Sequence, residues 1–200
     1  GIENWQDADI YARDIDLGTN SSTITVCKKG IDTPLGSMTI NMPGKHNILN
    51  ALAATGLALE LGISFDVIAR ALASFNGVER RFTYRGTFRH AEVFDDYGHH
   101  PQEIHATLAV ARRRTKGRLI VVFQPHRFTR TDKLWDIFVN TFLKNAMDCL
   151  IITDIYPASE QPISGVTAEN LVKAIKIQNK DFNVIYKEPA DLQKFLEEIT

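Results

Sequence analysis

An α/β protein in two parts is what the sequence predicts, and three observations predict it. From about Ala91 onward, strand-like and helical segments alternate, which implies a mostly parallel sheet with helices on both faces. The runs "RLIVVFQ" and "CLIIT" are continuously apolar, as strands covered on both faces must be. Before that region, a hairpin pattern is followed by only two helical stretches. Two helices behind a hairpin do not complete a domain, so the first part reads as the end of something larger. The change of character falls near Arg81–Tyr84.

The elements follow in order. Ser21–Val26 and Ser37–Met42 alternate polar and apolar residues, and the intervening "KKGIDTPLG" can turn the chain, which predicts a β-hairpin closed by Pro43-Gly44. Asn47–Leu61 is apolar on most of its surface and predicts a largely buried helix. Ser64 has the chemistry of an N-cap for a second helix, ended by Asn76-Gly77. In the second part, strands are expected at Ala91–Phe94, Arg118–Gln124, Cys149–Thr153 and Phe182–Tyr186. Helices are expected over Pro101–Arg114, Asp132–Asn145, Ala168–Lys176 and Ala190–Ile199, with Pro101 in a first turn and Thr131 and Thr167 as N-caps.

Composition sets the bounds. At 200 residues, 44% hydrophobic and 24% charged, the chain reads as an ordinary soluble globular protein. A net charge of -1 offers no general footprint for nucleic acid, so any anion has to be held locally. The apolar runs fall short of a membrane span, and the opening "GIENWQDADI" is not a signal peptide. Cys27 and Cys149 read as reduced, partly buried thiols, which points to the cytoplasm.

Ionisable groups crowd into "EVFDDYGHHPQEI", Glu92–Ile104. Ligands of open parallel sheets bind beyond the carboxyl ends of the strands. Asp95, Asp96, Tyr97, His99 and His100 follow one expected strand, while "FQPHRFTR" puts His126, Arg127 and Arg130 after the next. Arginine forks match carboxylates and phosphates in a bidentate way, so Arg127 and Arg130 are candidates to converge on one anion. Plainer roles compete: Asp95-Asp96 as the end of a strand and a cap, His100 as the residue held extended before Pro101, and His90 and His105 as structural histidines. Arg112–Arg114 suits a helix dipole, and Lys28-Lys29 a polar turn. The asparagines of "GKHNILN" suit capping, except that Asn50 lies a turn inside the helix, where its amide calls for a partner outside.

Considered jointly, "MPGKHNILNALAA", "GVERRF", "DDYGHHPQEI" and "FQPHRFTRT" resemble the Mur ligases of peptidoglycan synthesis, in the order and spacing of the members that add L-alanine to UDP-N-acetylmuramate. The resemblance implies that residues 1–81 are the C-terminal part of a central mononucleotide-binding ATPase domain. Residues 82–200 would be most of a C-terminal Rossmann-like domain. It implies that Asn47 and Asn50 hold adenine with His46 beside them, that Arg81 reaches the ATP phosphates, and that Asp96 meets the ribose, with His99 following on the same loop; Arg81, Asp96 and His99 would form the catalytic set. Tyr97, His126, Arg127 and Arg130 would take the incoming amino acid and the acyl group. The implied reaction is ATP-dependent amide synthesis through an acyl phosphate, with Mg²⁺ as cofactor, UDP-N-acetylmuramate and L-alanine as partners, no nucleic acid or membrane, and at most a weak homodimer.

The departures are equally specific. No G-x-x-x-x-G-K-[ST] occurs, so the phosphate loop and the Mg²⁺ ligands are expected upstream, and a last strand after "KFLEEIT". These residues are therefore expected to be a piece that does not ligate alone. A ligase recycling a whole tripeptide onto the same sugar is the nearest alternative. A metal-dependent hydrolase using Asp95, Asp96, His99, His100 and His126 is another, opposed by the repulsion of Arg127. A pure binding module is the third.

Overall fold

The computed structural model describes residues 1–3, 7–77 and 79–200. Val78 of "GVERRF" and Asn4, Trp5 and Gln6 of the opening stretch lie outside them. The chain divides into two compact units, Gly1–Glu79 and Arg80–Thr200.

The first unit contains an antiparallel sheet in the order β1 (Ile10–Leu17), β2 (Ser22–Lys28), β3 (Gly36–Ile40). The expected hairpin is β2–β3, with Ile24 opposite Met38. Strand β1 escaped the alternation test because its register shifts between Arg13 and Asp16, where Asp14 has a φ of 49°. One extra residue moves the following side chains to the other face, which erases the period of two. Helices α1 (Lys45–Glu60) and α2 (Phe65–Ser74) cover the sheet. Ala12, Ile24, Val26, Met38 and Ile40 meet Ile48, Ala51, Leu52 and Ile68 in one core.

Helix α1 buries Ile48, Ala51, Leu52 and Thr55, a single stripe at helical spacing. Leu49 is 44% and Leu57 66% exposed, so the expectation of a largely buried helix is corrected to one buried face. Ala58 and Leu59 pack partly against the same core, while Leu49 and Leu57 stay exposed. Ser64 stands at the N-cap of α2, but its side chain makes no capping bond.

The second unit starts with β4 (Thr83–Phe88) and β5 (Ala91–Asp95), a two-stranded antiparallel sheet. The Ala91–Phe94 strand expected in the parallel sheet is therefore paired elsewhere. Strand β4 went unread because its turn is Arg89-His90, without the glycine or asparagine that announces a tight hairpin; Arg89 takes a φ of 52° instead. Then come α3 (Pro101–Arg114), β6 (Ile120–Phe123), α4 (Phe128–Lys133), α5 (Trp135–Lys144), β7 (Cys149–Ile152), α6 (Ala168–Gln178), β8 (Val184–Tyr186) and α7 (Pro189–Ile199).

Strands β6, β7 and β8 form a parallel sheet in that order. Leu150 and Ile152 of β7 face a core with Ile104 and Leu108 of α3, Phe138 and Phe142 of α5, and Leu171 and Ile175 of α6. Ile151 points the other way and is equally buried, so the central strand is covered on both faces, as its continuous apolar run requires. Burial also pushes the Cys149 thiol up in pKa.

Thr131 is not an N-cap. It lies inside α4, fully buried, and its hydroxyl donates to the Arg127 carbonyl at 2.8 Å. The single helix expected over Asp132–Asn145 is broken at Leu134, whose φ of -110° and ψ of 17° separate α4 from α5. Thr167 does cap α6, accepting from the Asn170 N–H.

Among the described residues β5 pairs only with β4, and β6 only with β7. Their remaining edges flank a groove of about 1160 Å³, lined by Phe94 and Val122 from the strands, Leu108 from α3, and Leu192 and Leu196 from α7.

Candidate active site

In the first unit, Gly44 opens α1 with a φ of 101°, a conformation that glycine reaches without steric cost. Asn47 donates from Nδ2 to the Pro43 carbonyl at 2.9 Å and ties the helix to the preceding turn. Asn50 is exposed and its amide bonds to no other described residue, so both its donor and its acceptor face outward. His46 precedes them, half-buried in the same first turn.

In the second unit, the loop from β5 to α3 is built by carboxylates. Asp96 Oδ2 accepts the Phe82 N–H at 2.8 Å, and its Oδ1 accepts the Gly98 N–H at 2.7 Å. A Cβ on Gly98 would stand 2.7 Å from that Oδ1, so a larger residue there would have to push the Asp96 carboxylate off its bonds. Both oxygens of Asp96 thus already shape the loop. Asp95 ends β5 between Arg80 and Arg85, at 3.5 and 3.1 Å.

His100 caps α3: it is extended, its Nδ1 accepts the Gln102 N–H at 3.3 Å, and Glu103 reaches back in a capping box. Glu103 Oε2 accepts the N–H groups of His99 and His100, both at 3.1 Å, and its Oε1 lies 3.4 Å from Arg81 Nη1. Burial alone would raise the Glu103 pKa. The two N–H donors and the charges of His99 and Arg81 outweigh that and hold it below the ordinary value of 4.5. A group so lowered stabilises the fold above the unfolded pKa, and loses that contribution as pH falls through the folded one. Glu103→Ala is accordingly expected to cost about 1–2 kcal/mol at pH 7 and progressively less as pH falls below 4.5 and through the folded pKa. Urea midpoints at pH 7 and at falling pH below 4.5 check this, and an equal loss throughout would refute it.

His99 and His126 are held in opposite tautomers. His99 Nδ1 lies 2.9 Å from the Tyr97 carbonyl and 3.7 Å from Glu103, both acceptors, so whenever the ring is neutral Nδ1 carries the proton and Nε2 keeps its lone pair. His126 Nδ1 lies 3.2 Å from Arg130 Nη1, which can only donate, so there the proton sits on Nε2. The two rings are 5.8 Å apart, and Tyr97 stands edge-on to His99 at 4.9 Å and to His126 at 6.5 Å. Burial first, then the charges of Arg130, His99 and Arg127, push the His126 pKa below the usual histidine value. Tyr97, His99, His126, Arg127 and Arg130 are therefore brought together at the ends of β5 and β6, with Arg81 and Asp96 on the neighbouring turns.

The loop after β7 also contributes, although no residue of it was expected to. Tyr156 pairs with His126 in a parallel bridge and packs its ring 5.3 Å from the imidazole. Glu160 accepts from Thr129 and lies 3.8 Å from Arg127 Nη1. Arg80 stacks over the Tyr97 ring at 4.7 Å. The strand-end rule that found the first two loops also applies to "TDIYPASE", whose one ring and few charges gave a weaker signal.

A family model described as "Mur ligase, glutamate ligase domain" matches residues 80–199. The chain belongs to the Mur ligase family. Among curated members, the UDP-N-acetylmuramate–L-alanine ligase of Methylocella silvestris is 44% identical over 196 residues, 96% of this chain and 42% of the relative. That of Brucella anthropi is 52% identical over 149 residues, 74% of this chain and 31% of the relative. The chain thus spans about two-fifths or less of the length of these Mur ligases. Among solved structures, the UDP-N-acetylmuramate–alanine ligase of Thermotoga maritima matches with a TM-score of 0.70 at 25% identity, over 93% of this chain and 39% of that one. MurF of Acinetobacter baumannii matches with a TM-score of 0.73 over 97% of this chain and 39% of that one; its 20% identity speaks for the fold alone. The clustered loops at Tyr97–His100 and His126–Arg130 fall inside the segment matched by the Mur ligase model.

Proposed function

We propose that this chain is part of a Mur ligase that joins L-alanine to the lactyl carboxylate of UDP-N-acetylmuramate, using ATP and passing through an acyl phosphate. The observation that carries the reading is the cluster at the ends of β5 and β6: two guanidinium groups and two oppositely tautomeric imidazoles beside a tyrosine ring. The names of the curated relatives support the same substrates.

In this reading, Arg127 and Arg130 take the carboxylate of the amino acid. His99 offers its Nε2 lone pair to the amine, which must lose a proton before it attacks. His126 presents its Nε2–H to the developing negative charge. Tyr97 and Tyr156 wall the pocket. Asn47 and Asn50 would read the adenine edge, with His46 adjacent, and Arg81 and Asp96 would meet the phosphates and ribose of ATP. Mg²⁺ is a different matter: among the described residues no group of three His, Cys, Asp or Glu side chains is arranged to hold a metal ion. When bound, the ion neutralises phosphate charge.

Residues 1–81 would be the end of the ATP-binding domain and 82–200 the greater part of the C-terminal one, in keeping with a family match that starts at residue 80. The groove between β5 and β6 is where a further strand of that domain would pair. Charged nucleotide substrates place the reaction in the cytoplasm, and no helix among the described residues is long and apolar enough to cross a membrane.

The test is phosphate release by the intact protein with ATP, Mg²⁺, UDP-N-acetylmuramate and either L-alanine or a tripeptide. Alanine-dependent release is expected. Release with tripeptide alone would reassign the acceptor, and silence with both would end the proposal. Residues 1–200 alone are expected to release nothing.

A further inference from the structure

Arg127 has a φ of 74° and a ψ of 134°, outside the strand and helix basins. Such a backbone costs a non-glycine residue about 1–3 kcal/mol and persists only where its surroundings over-determine it. Here they do. Its N–H donates to the Tyr156 carbonyl at 2.8 Å, and its carbonyl accepts the N–H and the hydroxyl of Thr131 at 3.1 and 2.8 Å. Tyr156 in turn donates to the Pro125 carbonyl at 2.8 Å.

Two residues on, one carboxylate completes the clamp. Glu160 Oε2 accepts the Thr129 N–H at 2.9 Å, and Oε1 accepts the Thr129 hydroxyl at 2.7 Å. The same Oε1 lies 3.8 Å from Arg127 Nη1, and the Glu160 side chain is only 19% exposed. Ala158 and Ser159, which deliver it, are themselves at φ 48° and 69°. Strain is thus stored on both sides of one junction, and Glu160 is the side chain that joins the two sides. The Thr129 N–H, then its hydroxyl, hold the Glu160 pKa below the ordinary carboxylate value, so it is ionised at neutral pH.

We propose that Glu160 is a positioning residue of the amino-acid pocket: by clamping Thr129 it fixes the start of α4 in the register that aims Arg127 and Arg130 together. The proposal rests on the functional reading above and deepens it. Glu160 touches no substrate in this account; it acts through Thr129 and Arg127. The bonds from Thr131 tie the first turn of α4 to Arg127 within the helix; the Glu160 carboxylate adds the tie from that turn to the loop after β7.

The test uses the intact protein with Glu160→Ala, Glu160→Gln, Thr129→Val and the double variant of Thr129→Val with Glu160→Ala. Misplacing a binding group by about 1 Å costs on the order of 100-fold, so Glu160→Ala is expected to raise the KM for L-alanine by about 10- to 100-fold. The KM values for ATP and the sugar nucleotide should stay within about twofold, since a positioning role is confined to one substrate. Glu160→Gln, which keeps one acceptor for Thr129, should fall between. The double variant should be no worse than Glu160→Ala, because residues acting through one contact are not additive. An unchanged KM for L-alanine, or equal rises for all three substrates, would overturn the proposal. Should Glu160→Ala fail to fold, Glu160→Gln and Thr129→Val decide the matter by the same split.

A crystal structure of Glu160→Gln provides a readout that needs no substrate. Arg127 is expected to relax toward negative φ with α4 tilted; an unmoved Arg127 would overturn the proposal. Wild-type protein without alanine-dependent turnover would sink the functional reading instead, and leave the structural readout to judge Glu160.

Discussion

Arg130→Ala in the intact protein is expected to lower kcat/KM for L-alanine by about 100-fold, the equivalent of a charge-assisted hydrogen bond of about 2.7 kcal/mol. The effect is large because one guanidinium has two duties. In the proposed function it takes the amino-acid carboxylate, and in the structure its Nη1 donates to both Nδ1 and the carbonyl of His126, each at 3.2 Å. Removing it frees the imidazole to adopt the other tautomer. Arg130→Lys restores charge but not the fork, and should recover only part of the loss. A second consequence is measurable without turnover. Burial and then the Arg130 charge depress the His126 pKa; without that charge it should rise toward the ordinary value of 6.5, as a histidine titration followed by NMR would show. The sign for stability follows: with a depressed folded pKa, the unfolded chain binds the proton first, so stability falls as pH drops below about 6.5. In Arg130→Ala that loss should shrink. Unchanged kcat/KM together with an unmoved His126 titration would remove Arg130 from the pocket.

Phe142→Ala is expected to destabilise the second unit by about 3–5 kcal/mol, more than any surface change proposed above. Phe142 is fully buried, and its ring meets Phe123 at 5.2 Å; Phe138 meets the same ring at 5.6 Å. Phe123 ends β6, three residues before His126, so this ring cluster anchors the strand from which the pocket loop leaves. Phe142→Leu keeps most of the volume and should cost less than about 1.5 kcal/mol. Chemical denaturation of both variants gives the comparison. A loss under about 1 kcal/mol for alanine would mean that the core closes over the hole.

Where sequence reasoning worked, a strong local signal and the tertiary context agreed. The run "CLIIT" needed cover on both faces and has it; Pro101 and Thr167 stand at the helix starts assigned to them. Where it failed, the deciding interaction was distant in sequence. Thr131 has the chemistry of a cap, yet the positive φ of Arg127 starts the helix earlier and draws Thr131 inside. Strand β1 is hidden by a bulge, and β4 by a turn without turn residues. The site follows the same logic. The loops after β5 and β6 were legible because each concentrates histidine, arginine or carboxylate in a few residues. Glu160 was not, since its meaning lies in Thr129, 31 residues away. Asp96 and His100 show the converse, conspicuous residues whose hydrogen bonds turn out to be structural first.

The two bare edges beside the groove have a consequence for how this stretch behaves among other chains. A strand edge whose N–H and C=O groups lack a neighbour is a template for any extended peptide, and sheets elsewhere blunt such edges with charge, proline or bulges. Here Val93 is 40% and Val122 44% exposed along the two strands, with apolar helix residues behind them. The groove also carries charge: Glu92 is engaged by Arg114, and Lys116 and Arg118 line the same space. A strand seated between these edges would gain backbone partners on both sides and apolar contacts from the helices, while the lining cations act against pairing with a strand that brings like charge.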